Sequence, residues 1–236
     1  MPIQSIEPRR LYRQIAGQIR GLIRSGEYAP GSRLPPERDL ARQLGVSRPS
    51  VREALIALEV EGLVDVRIGS GIYVQPPRER ASPPETRDGA AEAGPFELLR
   101  ARHVIEPECA ALAAKSAKRA QIAAIEEAIE DMQRDFDAGE PPLAGDQLFH
   151  VRVAEATGNG ALVAVVRMLW AERTGPLYTQ LEHHYDSPAL WTAALAEHRA
   201  VVRAIAARNV AAARAAMQRH LTQAYRRFST GWGSRR

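Results

Sequence analysis

The sequence predicts a mainly α-helical protein built in two parts: an N-terminal α+β module of three helices and a β-hairpin, then an all-α helical bundle. Three features carry that prediction. Apolar residues recur at helical spacing in three short segments, and two β-rich runs joined by Gly69-Ser70-Gly71 follow them. The stretch Pro76 to Pro95, PPRERASPPETRDGAAEAGP, is rich in Pro, Ala, Gly and charge and has no apolar period, which predicts a linker. Beyond it every apolar stripe has the period of a helix. These shifts divide the chain into residues 9–75, a linker over 76–95, and a bundle over 96–230.

Each element has a local cause. In the first helix Leu11, Ile15, Ile19 and Leu22 share a face, and Ser25-Gly26 ends it. YAPGS reads as a turn. Pro36 suits the first position of the second helix, where a missing N–H costs nothing, and Glu37 and Asp39 favour that helix's positive end. Gly45 stops it after Leu44. Ser47 caps the third helix, whose apolar face is Val51, Ala54, Leu55 and Leu58. That assignment leaves Arg48 and Arg52, four apart, on the exposed side. LVDVRI and IYV are the strands of the hairpin. In the bundle, Leu98, Ile105 and Leu112 mark one stripe and Ile122, Ile125 and Ile129 another. Further helices are expected over about 141–157, 160–182, 189–207 and 210–228, giving about six helices in all. The last carries Met217, Leu221, Ala224 and Phe228 on a single face.

Composition narrows the class. Hydrophobic content of 45% and charged content of 25% are ordinary for a soluble globular protein. No apolar run approaches the roughly 20 residues that span a bilayer, and MPIQSIEPRRLY lacks a signal-peptide core. Cys109 is the only cysteine, which excludes an intrachain disulfide and a Cys-based zinc ribbon. A cytoplasmic protein without membrane association is expected. The net charge of +4 comes wholly from residues 1–80, while the remainder balances. A basic module on a neutral body suits a polyanionic partner.

Two helices around a glycine turn, followed by a hairpin, describe a winged helix-turn-helix, whose second helix enters the major groove of double-stranded DNA. An arginine fork at Arg48 or Arg52 can read guanine O6/N7 or grip a phosphate, and Arg38 can reach the same groove. Gly69–Gly71 lets the wing backbone approach DNA closely. A nucleotide-binding loop is excluded there, because no helix follows and a third glycine is missing. One winged module contacts too few bases for useful specificity, so a homodimer on a palindromic operator is expected. The stretch LPPERDLARQLGVSRPSVREALIALEVEGLVDVRIGSGIYV closely resembles the DNA-binding domain of the GntR family of bacterial transcription regulators, over nearly all of residues 9–75. Carried over residue by residue, the resemblance implies DNA contacts at Arg38, Ser47, Arg48, Ser50 and Arg52, with the wing at Gly69. Position 49 is Pro where Thr is common in that family.

The bundle's histidines raise a separate question. Asp146 and His150, four apart, share a helical face. His198 lies within the stripe Trp191, Leu195, Val202, Ile205, and His220 flanks Met217, Leu221 and Ala224. Three helices thus point polar groups toward a core, which is costly unless the groups are paired or hold a metal. Asp146, His150, His198 and His220 make a plausible ligand set for a divalent ion, zinc favoured, with nickel or manganese possible. His183-His184 read as an exposed helix end and His103 as a helix flank.

FELLRARHVIEPECAALAA, DQLFHVRVAEATGN, AEHRAVVRAIAARN and AAMQRHL resemble the FCD ligand-binding domain of the FadR subfamily, over roughly 95–228. The resemblance implies the same four metal ligands and a carboxylate-binding arginine at Arg102; Arg100 stands where an acidic residue is usual. EPRRLYRQIA and MLWAERTGPLYTQLEHHY resemble hexuronate-utilisation regulators, which implies a sugar-acid effector and a second anion contact at Arg173. The expected function is a repressor of carbohydrate-acid catabolism controlled by a small carboxylate. A regulator answering lactate or another organic acid stays open. So does a metal-dependent hydrolase or isomerase tethered to DNA, for which Glu155 and Glu172 would be the acid-base candidates.

Overall fold

The computed structural model describes residues 10–76 and 93–229, so most of the expected linker lies outside the described residues. The chain divides into two compact units, with the break after Phe96.

The first unit contains α1 (Leu11–Arg24), α2 (Glu37–Leu44), α3 (Arg48–Val60), β1 (Val64–Arg67) and β2 (Gly71–Val74). The strands pair antiparallel from Val64↔Val74 to Arg67↔Gly71. Ile15 and Ile19 bury the stripe of α1 against α3, whereas Leu11 at its start is 48% exposed. Pro36 stands just outside α2 as its N-cap residue rather than in its first turn. Gly45 ends that helix in the left-handed conformation (φ 66°), which glycine adopts without steric cost. Ser47 caps α3: its hydroxyl accepts from the backbone N–H of Ser50 at 3.3 Å. The segment before α2 runs beside the hairpin, with Leu34 N donating to Ile72 O and Val74 N donating to Ser32 O.

Helix α3 corrects one expectation. It has no exposed side through its middle: every residue from Val51 to Leu58 is buried, because α1, α2 and β1 all pack on it. Arg52 is therefore enclosed with the apolar residues, not displayed opposite them.

The second unit is all helix among the described residues: α4 (Pro95–Ser116), α5 (Arg119–Asp137), α6 (Leu143–Glu155), α7 (Gly160–Ala171), α8 (Pro176–Tyr185), α9 (Pro188–Ala206) and α10 (Val210–Ser229). That is seven helices where the periodicity suggested about six. The expected continuous helix over 160–182 is broken by a 3-10 turn, Glu172–Thr174, and by Gly175 in extended backbone (ψ 154°). Pro176 accounts for the break, since its ring disfavours the helical region for the residue before it, and Gly175 is extended. The stripe on α4 also ends early, Leu112 being 41% exposed. The core is built from Ile125, Met132, Phe149, Val153, Trp170, Leu195, Ile205 and Met217. No helix among the described residues is long and apolar enough to cross a membrane.

Candidate functional site

The bundle gathers Asp146 and His150 from α6, His198 from α9 and His220 from α10, all buried, with one ligand atom of each within 4.8 Å of the others. The Nε2 atoms of His150 and His198 are 3.3 Å apart, and Asp146 Oδ1 lies 3.5 and 3.4 Å from them. Ligand atoms on a tetrahedral zinc at bond lengths of about 2.0–2.1 Å stand about 3.3 Å from one another, so these spacings fit an ion at their centre. Gly145 sets the position of α6. A β-carbon there would come within 2.9 Å of the Met132 backbone nitrogen, so only glycine lets α6 approach α5 this closely next to Asp146.

The surroundings prepare the imidazoles as ligands. His150 turns Nδ1 to Glu106 Oε2 at 2.6 Å, and His220 turns Nδ1 to Glu197 Oε2 at 2.9 Å. A carboxylate on one ring nitrogen fixes the tautomer and leaves the lone pair of the other free for a cation. Burial, with the neighbouring imidazoles and Arg102, pushes His198 and His220 well below the ordinary histidine value, so both are neutral at pH 7. Burial alone would raise Asp146; the hydrogen bond with His150 and the charge of Arg173 overcome it and hold the group well below the usual carboxylate range. Glu106 is ionised likewise, with Arg102 and His150 outweighing its burial. The centre thus offers one carboxylate with the neutral imidazoles of His198 and His220, which is chemistry a divalent transition metal selects.

Both expected anion-binding arginines stand at this centre. Arg102 donates from Nε to Glu106 Oε1 (2.7 Å) and places a terminal nitrogen 3.3 Å from His150 Nε2. Arg173 pairs with Asp146 Oδ2 at 3.0 Å and with Glu182. The two guanidiniums stack on the Trp170 ring, 4.2 and 4.0 Å from its centroid. Arg173 reaches this centre from the 3-10 turn Glu172–Thr174. A cavity of about 210 Å³ adjoins the cluster; Arg102, Asp146, Arg173, Tyr178 and His220 line it together with apolar Trp191 and Phe228. Glu155 is instead tied to Arg152 and Arg167, and Glu172 is exposed on the 3-10 turn and does not line the cavity. Neither lies where an acid-base residue would act.

In the first unit Arg38, Ser47, Arg48 and Gly69 are exposed and Ser50 half-buried. Arg38 is open to solvent, its side chain 80% exposed and 3.5 Å from Asp39. Arg48, half exposed, meets Glu37 Oε1 at 2.7 Å. Arg52 is not on this surface. Its side chain is fully buried and its terminal nitrogen meets Glu37 Oε2 at 2.6 Å. Sequence spacing missed the reason, a buried carboxylate fifteen residues earlier. Trp170, Glu106 and Glu197 were missed as well. Only Glu106 left a local signal, since it follows Arg102 by four positions on one helix.

Residues 11–74 match the family described as bacterial regulatory proteins, gntR family, and residues 97–223 match the FCD domain. Over 224 residues the chain is 38% identical to the Uxu operon transcriptional regulator of Escherichia coli (strain K12), spanning 93% of this chain and 87% of that one. It is 40% identical to the Exu regulon transcriptional regulator of the same organism over 224 residues, spanning 91% and 83%. A solved structure described as "Lar controls the expression of the Listeria monocytogenes agr system and mediates virulence" shares the fold, with a TM-score of 0.51 at 16% identity over 94% of this chain and 98% of that one. A winged module that meets DNA and a helical domain with a polar core thus coincide with two matched domains and with relatives that are regulators, not enzymes. The chain belongs to the GntR family of bacterial transcription regulators and carries an FCD domain after its DNA-binding module.

Proposed function

We propose that this regulator is a cytoplasmic, homodimeric repressor of sugar-acid catabolism, which leaves a palindromic operator when a hexuronate binds beside a divalent metal ion. The observation that carries the reading is the cavity that adjoins the Asp/His cluster and is lined by Asp146, His220, Arg102 and Arg173. Asp146, His150, His198 and His220 would hold the ion. When bound, it would supply a Lewis-acid cation that attracts the effector's carboxylate, zinc being favoured and nickel or manganese possible. The protein's own groups do the rest. Glu106 fixes Arg102 through Nε, which leaves further N–H donors of the planar fork for a carboxylate. Arg173 and Glu182 offer a donor and an acceptor for hydroxyls, and Trp191 and Phe228 supply an apolar wall.

The names of the two relatives support the effector class, since they accord with the likeness of EPRRLYRQIA and MLWAERTGPLYTQLEHHY to hexuronate-utilisation regulators. Dimerisation is supported by α7, whose Ala161, Ala164 and Met168 are exposed, Met168 by 57%. At the operator, Arg48 and Arg38 supply the guanidiniums on the exposed helical surface, Ser47 and Ser50 the hydroxyls, and Gly69 the wing. Effector must favour the arrangement that does not bind DNA, because equal affinity for both would shift nothing. Titrating glucuronate, galacturonate, fructuronate, gluconate and lactate against the operator complex tests the reading. Release by hexuronates but not lactate supports it, and release by lactate alone removes the hexuronate class.

A further inference from the structure

We infer that Arg33 is an additional contact to the DNA backbone, seated at the base of the wing and gripping a phosphate between the groove read by α3 and the next. Three observations converge on it. First, its backbone is fixed: Arg33 bridges Tyr73 of β2, and the flanking hydrogen bonds from Leu34 to Ile72 and from Val74 to Ser32 make its segment a third edge of the hairpin. Second, its guanidinium lies on the wing turn. A β-carbon at Gly71 would stand 2.9 Å from Arg33 Cζ, so the glycine is what lets the planar group rest against the wing backbone. Third, its charge is not neutralised. Between residues 33 and 75, Arg38 and Arg42 approach Asp39, Arg48 and Arg52 share Glu37, and Arg67 meets Asp65. Among the described residues, Arg33 is the arginine of this stretch that meets no carboxylate, and it is exposed.

Its surroundings match the shape of a backbone. Arg33 forms one wall of a cleft of about 190 Å³ between the hairpin and the start of α2, with Glu37, Gly69 and Ser70 on the other sides. Glu37 is the residue that holds Arg48. The cleft therefore lies between the recognition arginine and the wing tip. With α3 in a major groove, the strand bordering that groove runs between those two points. A fixed, unpaired guanidinium facing it meets phosphate rather than a base edge, and phosphate contacts position a protein without reading sequence.

The test measures operator and scrambled-duplex binding of the full chain over a salt series. Arg33→Gln is expected to weaken both duplexes by the same factor. It should flatten the log–log salt slope by about 0.9 per protomer, which makes affinity fall about 3.5-fold less per protomer between 50 and 200 mM salt. The thermal midpoint should stay with the parent's, while Arg33→Lys should keep the parent slope. Arg24→Gln, an exposed arginine at the end of α1, should change neither slope nor affinity. An unchanged slope in Arg33→Gln overturns the inference. So does a loss confined to the operator, which would mark a base contact. If Arg33→Gln lowers the thermal midpoint, the slope of Arg33→Lys decides: a parent-like slope supports the contact and a flattened one makes Arg33 only a brace for the wing.

Discussion

Glu37 and Arg52 form an ion pair of 2.6 Å in which the arginine side chain is fully buried and the carboxylate 2% exposed. The same carboxylate holds Arg48 through its other oxygen. One acidic residue at the start of α2 thus anchors two arginines of α3, one as an internal strut and one at the surface. Removing one member of a buried pair leaves the other charge uncompensated, so Arg52→Ala and Glu37→Ala should each cost about 3–5 kcal/mol of stability. Arg48→Ala should leave stability near the parent's and cost roughly 1–3 kcal/mol at the operator. Chemical denaturation and operator titration at fixed salt separate these effects. A fully stable Arg52→Ala variant with lost operator affinity would return Arg52 to the DNA surface.

The proposed metal site makes a stoichiometric prediction. Protein purified without chelator, or reconstituted, should hold one divalent ion per chain by elemental analysis. Because the ion binds the folded chain, removing it should lower the thermal midpoint, and His198→Ala should abolish that difference. Absence of bound metal after reconstitution would rule out the site.

Effector recognition should divide between the cluster and the arginines. Arg102→Ala alone would leave Glu106 charged and buried, so the informative variant pairs it with Glu106→Gln. That double variant should retain metal but lose release of DNA by the sugar acid. A response equal to the parent's would put the carboxylate elsewhere.

Acid should destabilise the metal-free chain in a defined window. His198 and His220 titrate well below the ordinary value of 6.5 when folded, so the unfolded chain binds more protons as pH falls below it. Their contribution is complete above pH 6.5 and is lost below it, at about 1.4 kcal/mol per pH unit for each imidazole. Asp146 and Glu106, both depressed, act in the same direction but only below the ordinary carboxylate values. Urea midpoints between pH 7 and pH 5 measure this, and His198→Gln should reduce the slope. A midpoint independent of pH over that range would contradict the buried neutral imidazoles.

Gly145 gives a packing test. Gly145→Ala puts a methyl against the α5 backbone and should cost about 1–3 kcal/mol, with weaker metal binding because Asp146 is displaced with it.

The elements whose causes are local were legible in the amino-acid order. Gly45, Ser47 and the Gly69–Gly71 turn punctuate the first module, and apolar spacing places His198 and His220 inward on their helices. Asp146 and His150 fall on one face because four positions make just over one turn of a helix. Tertiary structure decided what depends on neighbours distant in sequence. Arg52 has the same spacing relation to the apolar face of α3 as an exposed residue would. Only the packing of α1, α2 and β1 around α3, with Glu37 available as a partner, encloses it. The Trp170 ring between Arg102 and Arg173, and the carboxylates of Glu106 and Glu197 behind the histidines, likewise join helices far apart in the chain. Periodicity reports which side of a helix faces inward; which charge waits there is fixed only when the helices meet.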